Sequence, residues 1–91
     1  MPISEDERKR LVVLSEECAE IIQIAAKIQR FGFESYHPND PDVTNRTLLE
    51  REIADALAVI GLMTSNGDIN SGRVAAGIQP KIDKLKRFGI T

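Results

Sequence analysis

The sequence predicts an all-α fold: an antiparallel hairpin of two long helices plus a C-terminal helical element, assembling into a multi-helix bundle as a dimer or larger. Three observations predict it. Apolar residues recur at helical spacing through two long stretches, Leu11 to Ile28 and Leu48 to Met63. Residues that break helices cluster between those stretches, as Gly32, Pro38, Asn39, Asp40, Pro41 and Asp42. β-Branched residues fall within the helical periods and never alternate cleanly, so no strand pattern competes.

The first helix is expected over about 5–30. Ser4 starts it, with Glu7 three residues on to complete a capping box. Its apolar set is Leu11, Leu14, Cys18, Ile21, Ile22, Ala25 and Ile28, and Gly32 ends it just after Arg30. The breaker-rich loop then spans 31–43. Thr44 or Asn45 caps a second helix, whose stripe is Leu48, Leu49, Ile53, Ala56, Leu57, Ile60 and Met63. Ser65-Asn66-Gly67-Asp68 is a turn signal. The last helical region covers about 70–88, with Ile78, Ile82 and Leu85 as its stripe. Pro80 lies inside it and predicts a kink or two short helices joined near Gln79. This last region is expected to cover one side of the hairpin.

Ninety-one residues, 1–91, make a single domain with a modest core that gains from oligomerisation. With 42% apolar and 29% charged residues, the composition is that of a globular chain and not a disordered one. A net charge of −2 offers no electrostatic footprint for nucleic acid. No apolar run reaches the length of a membrane span, and the polar stretch Met1 to Arg10 has no secretory core. The lone Cys18 cannot form an internal disulfide and is expected as a small core residue in a reducing, cytoplasmic setting.

Two acidic pairs stand out against this framework: Glu17 with Glu20, and Glu52 with Asp55. Carboxylates three residues apart on a helix share a face, one turn apart. Each pair is framed by apolar residues at helical spacing. Glu17 is three after Leu14 and four before Ile21; Glu52 is four after Leu48, and Asp55 is four before Val59. Burying unpaired carboxylates is costly, so four of them facing one interior require a cation. An all-oxygen set with no histidine on these helices suits Mg²⁺, or Mn²⁺, and not zinc or copper. Di-iron bundles use Glu-x-x-His motifs, and the one histidine, His37, lies in the loop. Acidic residues are common on exposed helix faces; two pairs on apolar faces make the more specific pattern.

The segment Leu14-Ser15-Glu16-Glu17-Cys18-Ala19-Glu20, followed by Glu52-Ile53-Ala54-Asp55, resembles the all-α nucleoside triphosphate pyrophosphohydrolases of the MazG-type superfamily. That group includes dimeric dUTPases and phosphoribosyl-ATP pyrophosphohydrolase. Its pattern is Glu-Glu-x-x-Glu on one helix and Glu-x-x-Asp on the next. Both halves occur in that order, with a rather long insertion between them, and the resemblance covers about 10–88. It implies Mg²⁺-dependent cleavage of an NTP or dNTP between the α- and β-phosphates, giving the monophosphate and pyrophosphate. Glu17, Glu20, Glu52 and Asp55 would hold the metal, and Glu16 is the candidate base that activates water. The resemblance also implies a homodimer or homotetramer whose partner chain helps to enclose the nucleotide.

Phosphates need cations. Lys27, seven residues after Glu20, lies near the same helix face, Arg30 is near the helix end, and Lys81 and Lys84 are one turn apart on the last helix. These four are the candidate substrate-binding residues. Three of the four aromatics, Phe31, Phe33 and Tyr36, lie in the loop, for base stacking or for plugging the end of the bundle. His37 is expected as a loop hydrogen-bonder. The competing reading is a non-catalytic helical adaptor that has kept the fold; all four ligand positions being acidic speaks against it. A helix-turn-helix DNA binder is disfavoured by acidic inward faces and the net charge.

Overall fold

A computed structural model describes all of residues 1–91. It is all-helical, with α1 (Glu5–Phe31), α2 (Asn45–Ser65) and α3 (Ser71–Arg87) in chain order. Local signals account for each boundary. Ser4 and Glu7 form the reciprocal capping box, the Ser4 side chain accepting from the Glu7 N–H and the Glu7 carboxylate from the Ser4 N–H. The Ser4 amide, with help from its hydroxyl, holds the Glu7 carboxyl below the usual carboxylate range. Gly32 ends α1 at φ 90°, a left-handed conformation that favours glycine. Thr44 caps α2 by accepting from the Thr47 N–H, and Asn70 caps α3 by accepting from the Arg73 N–H.

Only α1 and α2 pack extensively on one another. Their meeting faces read directly off the covered positions. On α1 these include Arg10, Leu14, Glu17, Ile21, Ile24 and Ile28; on α2 they include Asn45, Leu48, Glu52, Ala56, Val59 and Met63. Steps of three and four residues are the spacing of a two-helix seam. Ile24, Ala56, Val59 and Met63 form its buried centre. The two ends of the seam are tied differently. At one end Arg10 forks onto Asp68 with bonds of 2.6 and 2.9 Å, so the early part of α1 lies beside the turn that follows α2. At the other end the Asn45 side chain donates to the Gly32 carbonyl, and the backbone N–H groups of Asn45 and Arg46 donate to Ser35 and Phe33. The loop is thereby folded back onto the start of α2.

Two expectations are corrected and one is narrowed. Of the two outcomes expected at Pro80, the break into two short helices does not occur: residues 71–87 form one continuous helix with the proline inside it. Proline removes one helical N–H, and the carbonyl it leaves unpaired is on an exposed element where water can serve it. Nor does α3 cover the α1–α2 pair: none of its residues is buried, and of its stripe only Leu85 is half-buried. A single packed pair can cover one face per helix, so Cys18, Ile22, Ile53 and Leu57 are exposed instead of in the core, and Ile24 and Val59 take the central positions. No helix is long and apolar enough to cross a membrane.

The Arg10–Asp68 fork holds the Asp68 carboxyl below its ordinary range, because a guanidinium donates to it directly. Both side chains are largely covered, at 18% and 11% exposure, so removing either leaves the other poorly solvated. Arg10→Ala and Asp68→Asn should each lower the melting temperature at neutral pH. A double-mutant cycle by thermal denaturation should give a combined loss smaller than the sum of the two; strict additivity would mean that the fork does not couple the ends.

Candidate functional site

Glu17 and Glu52 occupy seam positions, where their neighbours along each helix are apolar. Glu20 and Asp55 sit one turn further on, at the exposed margin of the same face. One carboxylate oxygen from each of the four comes within 4.8 Å of the others. Glu17 Oε2 and Glu52 Oε2 are closed off from water and meet no hydrogen-bond donor. Buried acceptors are ordinarily satisfied, and two orphaned oxygens at one spot mark a place that lacks a positive partner. The donor set is hard oxygen throughout, which fits Mg²⁺ or Mn²⁺.

The electrostatics follow from the packing. Glu52 is pushed up to about 7, first because its carboxyl is close enough to Glu20 to share a proton, then by loss of water, then by repulsion from Glu20, Asp55 and Glu17. Loss of water is the leading cause for Glu17, whose carboxyl is also raised; repulsion from Glu20 and Asp55 follows. Near neutral pH the metal-free cluster therefore retains a proton that a bound cation would displace.

Two cavities flank the cluster. One, of about 440 Å³, is lined by Glu20, Glu52, Gln23, Ile24, Leu48 and Lys27. Lys27 is thus brought to the carboxylates, at the two-turn distance its sequence spacing suggests. The second, of about 490 Å³, opens on the opposite side, against Glu17 and Asp55, with Lys9, Val13, Val59 and Leu62 among its walls. Sequence reasoning missed Lys9. Its signal was available: Lys9 precedes Glu17 by eight residues, a same-face spacing much like that of Lys27 beyond Glu20.

The remaining candidates lie elsewhere. Glu16 is exposed and outside the four-carboxylate group, next to Glu17 in the chain. Arg30 is exposed at the end of α1 with its guanidinium over the Phe31 ring at 5.0 Å, and it lines neither flanking cavity. Lys81 and Lys84 are exposed on α3, and because α3 does not pack along the pair, one chain does not bring them to the cluster. His37 accepts the Asn39 N–H through Nδ1 at 3.1 Å, a loop hydrogen bond. Phe33 lies under Arg46 at 4.5 Å and lines an apolar recess with Ala25, Ile28 and Leu49.

The raised carboxyls make a pH prediction. Glu52 takes up its proton at about 7 in the folded chain and near 4.5 when unfolded, so between those values the folded state binds more protons. Metal-free stability should therefore fall as pH rises from 5 to 8. Saturating Mg²⁺ should restore it, with a larger rise in melting temperature at pH 8 than at pH 5. Glu52→Gln should flatten the pH response and weaken the Mg²⁺ response. Melting curves indifferent to both pH and metal would remove the cluster as a cation site.

Comparison of the chain with protein-family models, with curated proteins and with solved structures finds no match.

Proposed function

We propose that the protein is a Mg²⁺-dependent nucleoside triphosphate pyrophosphohydrolase, acting on an NTP or dNTP, with α1 and α2 as the antiparallel hairpin of a larger bundle. One observation carries the reading: four carboxylates from two helices share one small volume, and two of their oxygens are shut into the seam without a donor. A non-catalytic adaptor of the same fold has no use for glutamates in a seam that leucine or isoleucine would fill more favourably. The resemblance of the two acidic motifs to the MazG-type enzymes supplies the reaction class.

In this reading Glu17, Glu20, Glu52 and Asp55 hold the metal in place. Bound there, Mg²⁺ would polarise a phosphoryl oxygen and acidify a water. Lys27 lines the cleft with Glu20 and Glu52, where it would offer a cation to a phosphate chain that otherwise meets only negative charge. Glu16 is the candidate base: it is exposed and adjacent to Glu17 in the chain, and a carboxylate brought to the attacking water can accept its proton. Water adds at the α-phosphorus, the α–β anhydride bond breaks, and pyrophosphate leaves with the bridging oxygen.

Assembly belongs to the same proposal. The stripe Val74, Ile78 and Ile82 on α3 is uncovered, as are Ile22, Ile53 and Leu57 on the pair. Five basic residues of α3, Arg73, Lys81, Lys84, Lys86 and Arg87, stand against a single acid, Asp83. A homodimer or homotetramer in which α3 docks on a second copy would cover both apolar faces and bring Lys81 and Lys84 toward another chain's acidic cleft.

Two measurements test this. A pyrophosphate-release screen over the common NTPs and dNTPs should find Mg²⁺-dependent turnover. Glu17→Gln, Glu20→Gln, Glu52→Gln and Asp55→Asn should each reduce it by at least about 10²-fold, the scale of losing a charge-stabilising group from an active site. Near-normal turnover in any two of these variants would exclude the cluster as the catalytic centre. Sedimentation equilibrium at micromolar concentration should show a dimer or larger; a strictly monomeric active protein would overturn the assembly and leave the metal site standing.

A further inference from the structure

A third cavity, of about 250 Å³, lies where the end of α1 meets the loop and the start of α2. Lys27 lines both this cavity and the carboxylate cleft, so the two adjoin across one side chain. Phe31, Tyr36, His37 and Asn45 stand around it. Phe31 and Tyr36 are 59% and 55% exposed, so much of each ring remains open to a ligand, while Arg30 lies over the Phe31 ring. Asn45 is the chain's one buried polar residue; its amide N–H is engaged by the Gly32 carbonyl, which leaves the Oδ1 acceptor. The His37 ring accepts a backbone N–H at Nδ1, so in its neutral form the proton is on Nε2 and a donor remains. Aromatic faces, one acceptor and one donor beside a lysine suit a flat heterocycle carried on phosphates.

The cavity on the other side of the cluster has a different character. Its uncharged walls, including Val13, Ala58, Val59 and Leu62, are aliphatic, it contains no ring, and its Arg10 is occupied by Asp68. Lys9 makes no ion pair there. The polarity of the groove is therefore asymmetric: rings and hydrogen-bonding edges at the loop end, aliphatic walls and a free ammonium at the Arg10 end.

We propose that the Phe31–Tyr36–Asn45 cavity is the base-binding subsite of this protein, that Tyr36 stacks on the nucleobase, and that the substrate lies along the groove with its nucleoside toward the loop and its terminal phosphates toward Lys9. The proposal rests on the reading of the carboxylate cleft as a nucleotide site. Recognition by stacking tolerates every base, and discrimination falls to the edges that Asn45 and His37 present.

The chain contains one tyrosine and no tryptophan, so its ultraviolet emission comes from Tyr36 and phenylalanine, with Tyr36 dominant. The test is a titration of that emission, corrected for nucleotide absorption, with α,β-methylene analogues of ATP, GTP, CTP and UTP and with inorganic tripolyphosphate, all with Mg²⁺. At least one nucleotide analogue should quench saturably, and tripolyphosphate should not. Phe31→Leu, which keeps the fluorophore, should move the quenching curve to higher concentration. Tyr36→Leu should raise KM for the hydrolysed nucleotide about 10-fold, within the range that base–aromatic stacking supplies. Turnover of nucleotides with no saturable quenching, or with quenching equal for tripolyphosphate, overturns the subsite and leaves the reaction standing. Quenching without pyrophosphate release keeps the subsite and overturns the reaction. Absence of both overturns the nucleotide reading and the subsite with it.

Discussion

Two glutamates in the seam between α1 and α2 are the constraint around which this molecule is arranged. At Glu17 and Glu52 a seam lined mainly by aliphatic side chains receives charge. Such a position is tolerated only if the group keeps a proton, finds a donor or meets a cation. The first of these is visible in Glu52, whose carboxyl is raised by its closeness to Glu20 and by loss of water. The second is missing at Glu17 Oε2 and Glu52 Oε2, neither of which has a hydrogen-bond partner. The buried residues of the same seam, Ile24, Ala56 and Val59, oppose any relaxation of the carboxylates that parts the helices, because it would open the small core.

The ends of the seam make that rigidity effective. A fork from Arg10 to Asp68 fixes one end, and backbone and side-chain bonds from Asn45 and Arg46 to the loop fix the other. A slip of either helix by one residue would break the fork and rotate Glu17 or Glu52 out of the seam by about 100°. The same ties that set the register also shape the loop, and the loop shapes the cavity beside Lys27. Stability and site are thus products of one set of contacts.

The third helix stands outside this arrangement. It is amphipathic and basic, and it buries nothing. A small chain with one packed helix pair leaves apolar stripes on three faces, more than isolated surface residues account for. Pairing of the basic helix with the acidic pair of another copy would reduce that exposure and bring cations toward the cluster. In the proposed enzyme, such an assembly would complete the site.

Much of the helix architecture was legible in the sequence, because its determinants are local. Ser4 with Glu7, Gly32 and Thr44 act within a few residues of where they sit, and the periodicity of each stripe belongs to one segment. The acidic pairs were legible for the same reason: helical spacing alone puts Glu17 beside Glu20 and Glu52 beside Asp55, and the spacing that carried Lys27 applied equally to Lys9. What only the tertiary structure decided is which faces meet. Periodicity in the sequence defined an apolar stripe wide enough to include Cys18, Ile22 and Leu57, but a single partner helix covers one narrow strip, and the contacts chose Ile24 and Val59 instead. The path of α3 was equally beyond local signals, since an amphipathic helix has the same sequence whether it docks on its own chain or on another. The gathering of four carboxylates within 4.8 Å also required the fold, because it depends on the register of two helices separated by a loop whose length alone does not set it.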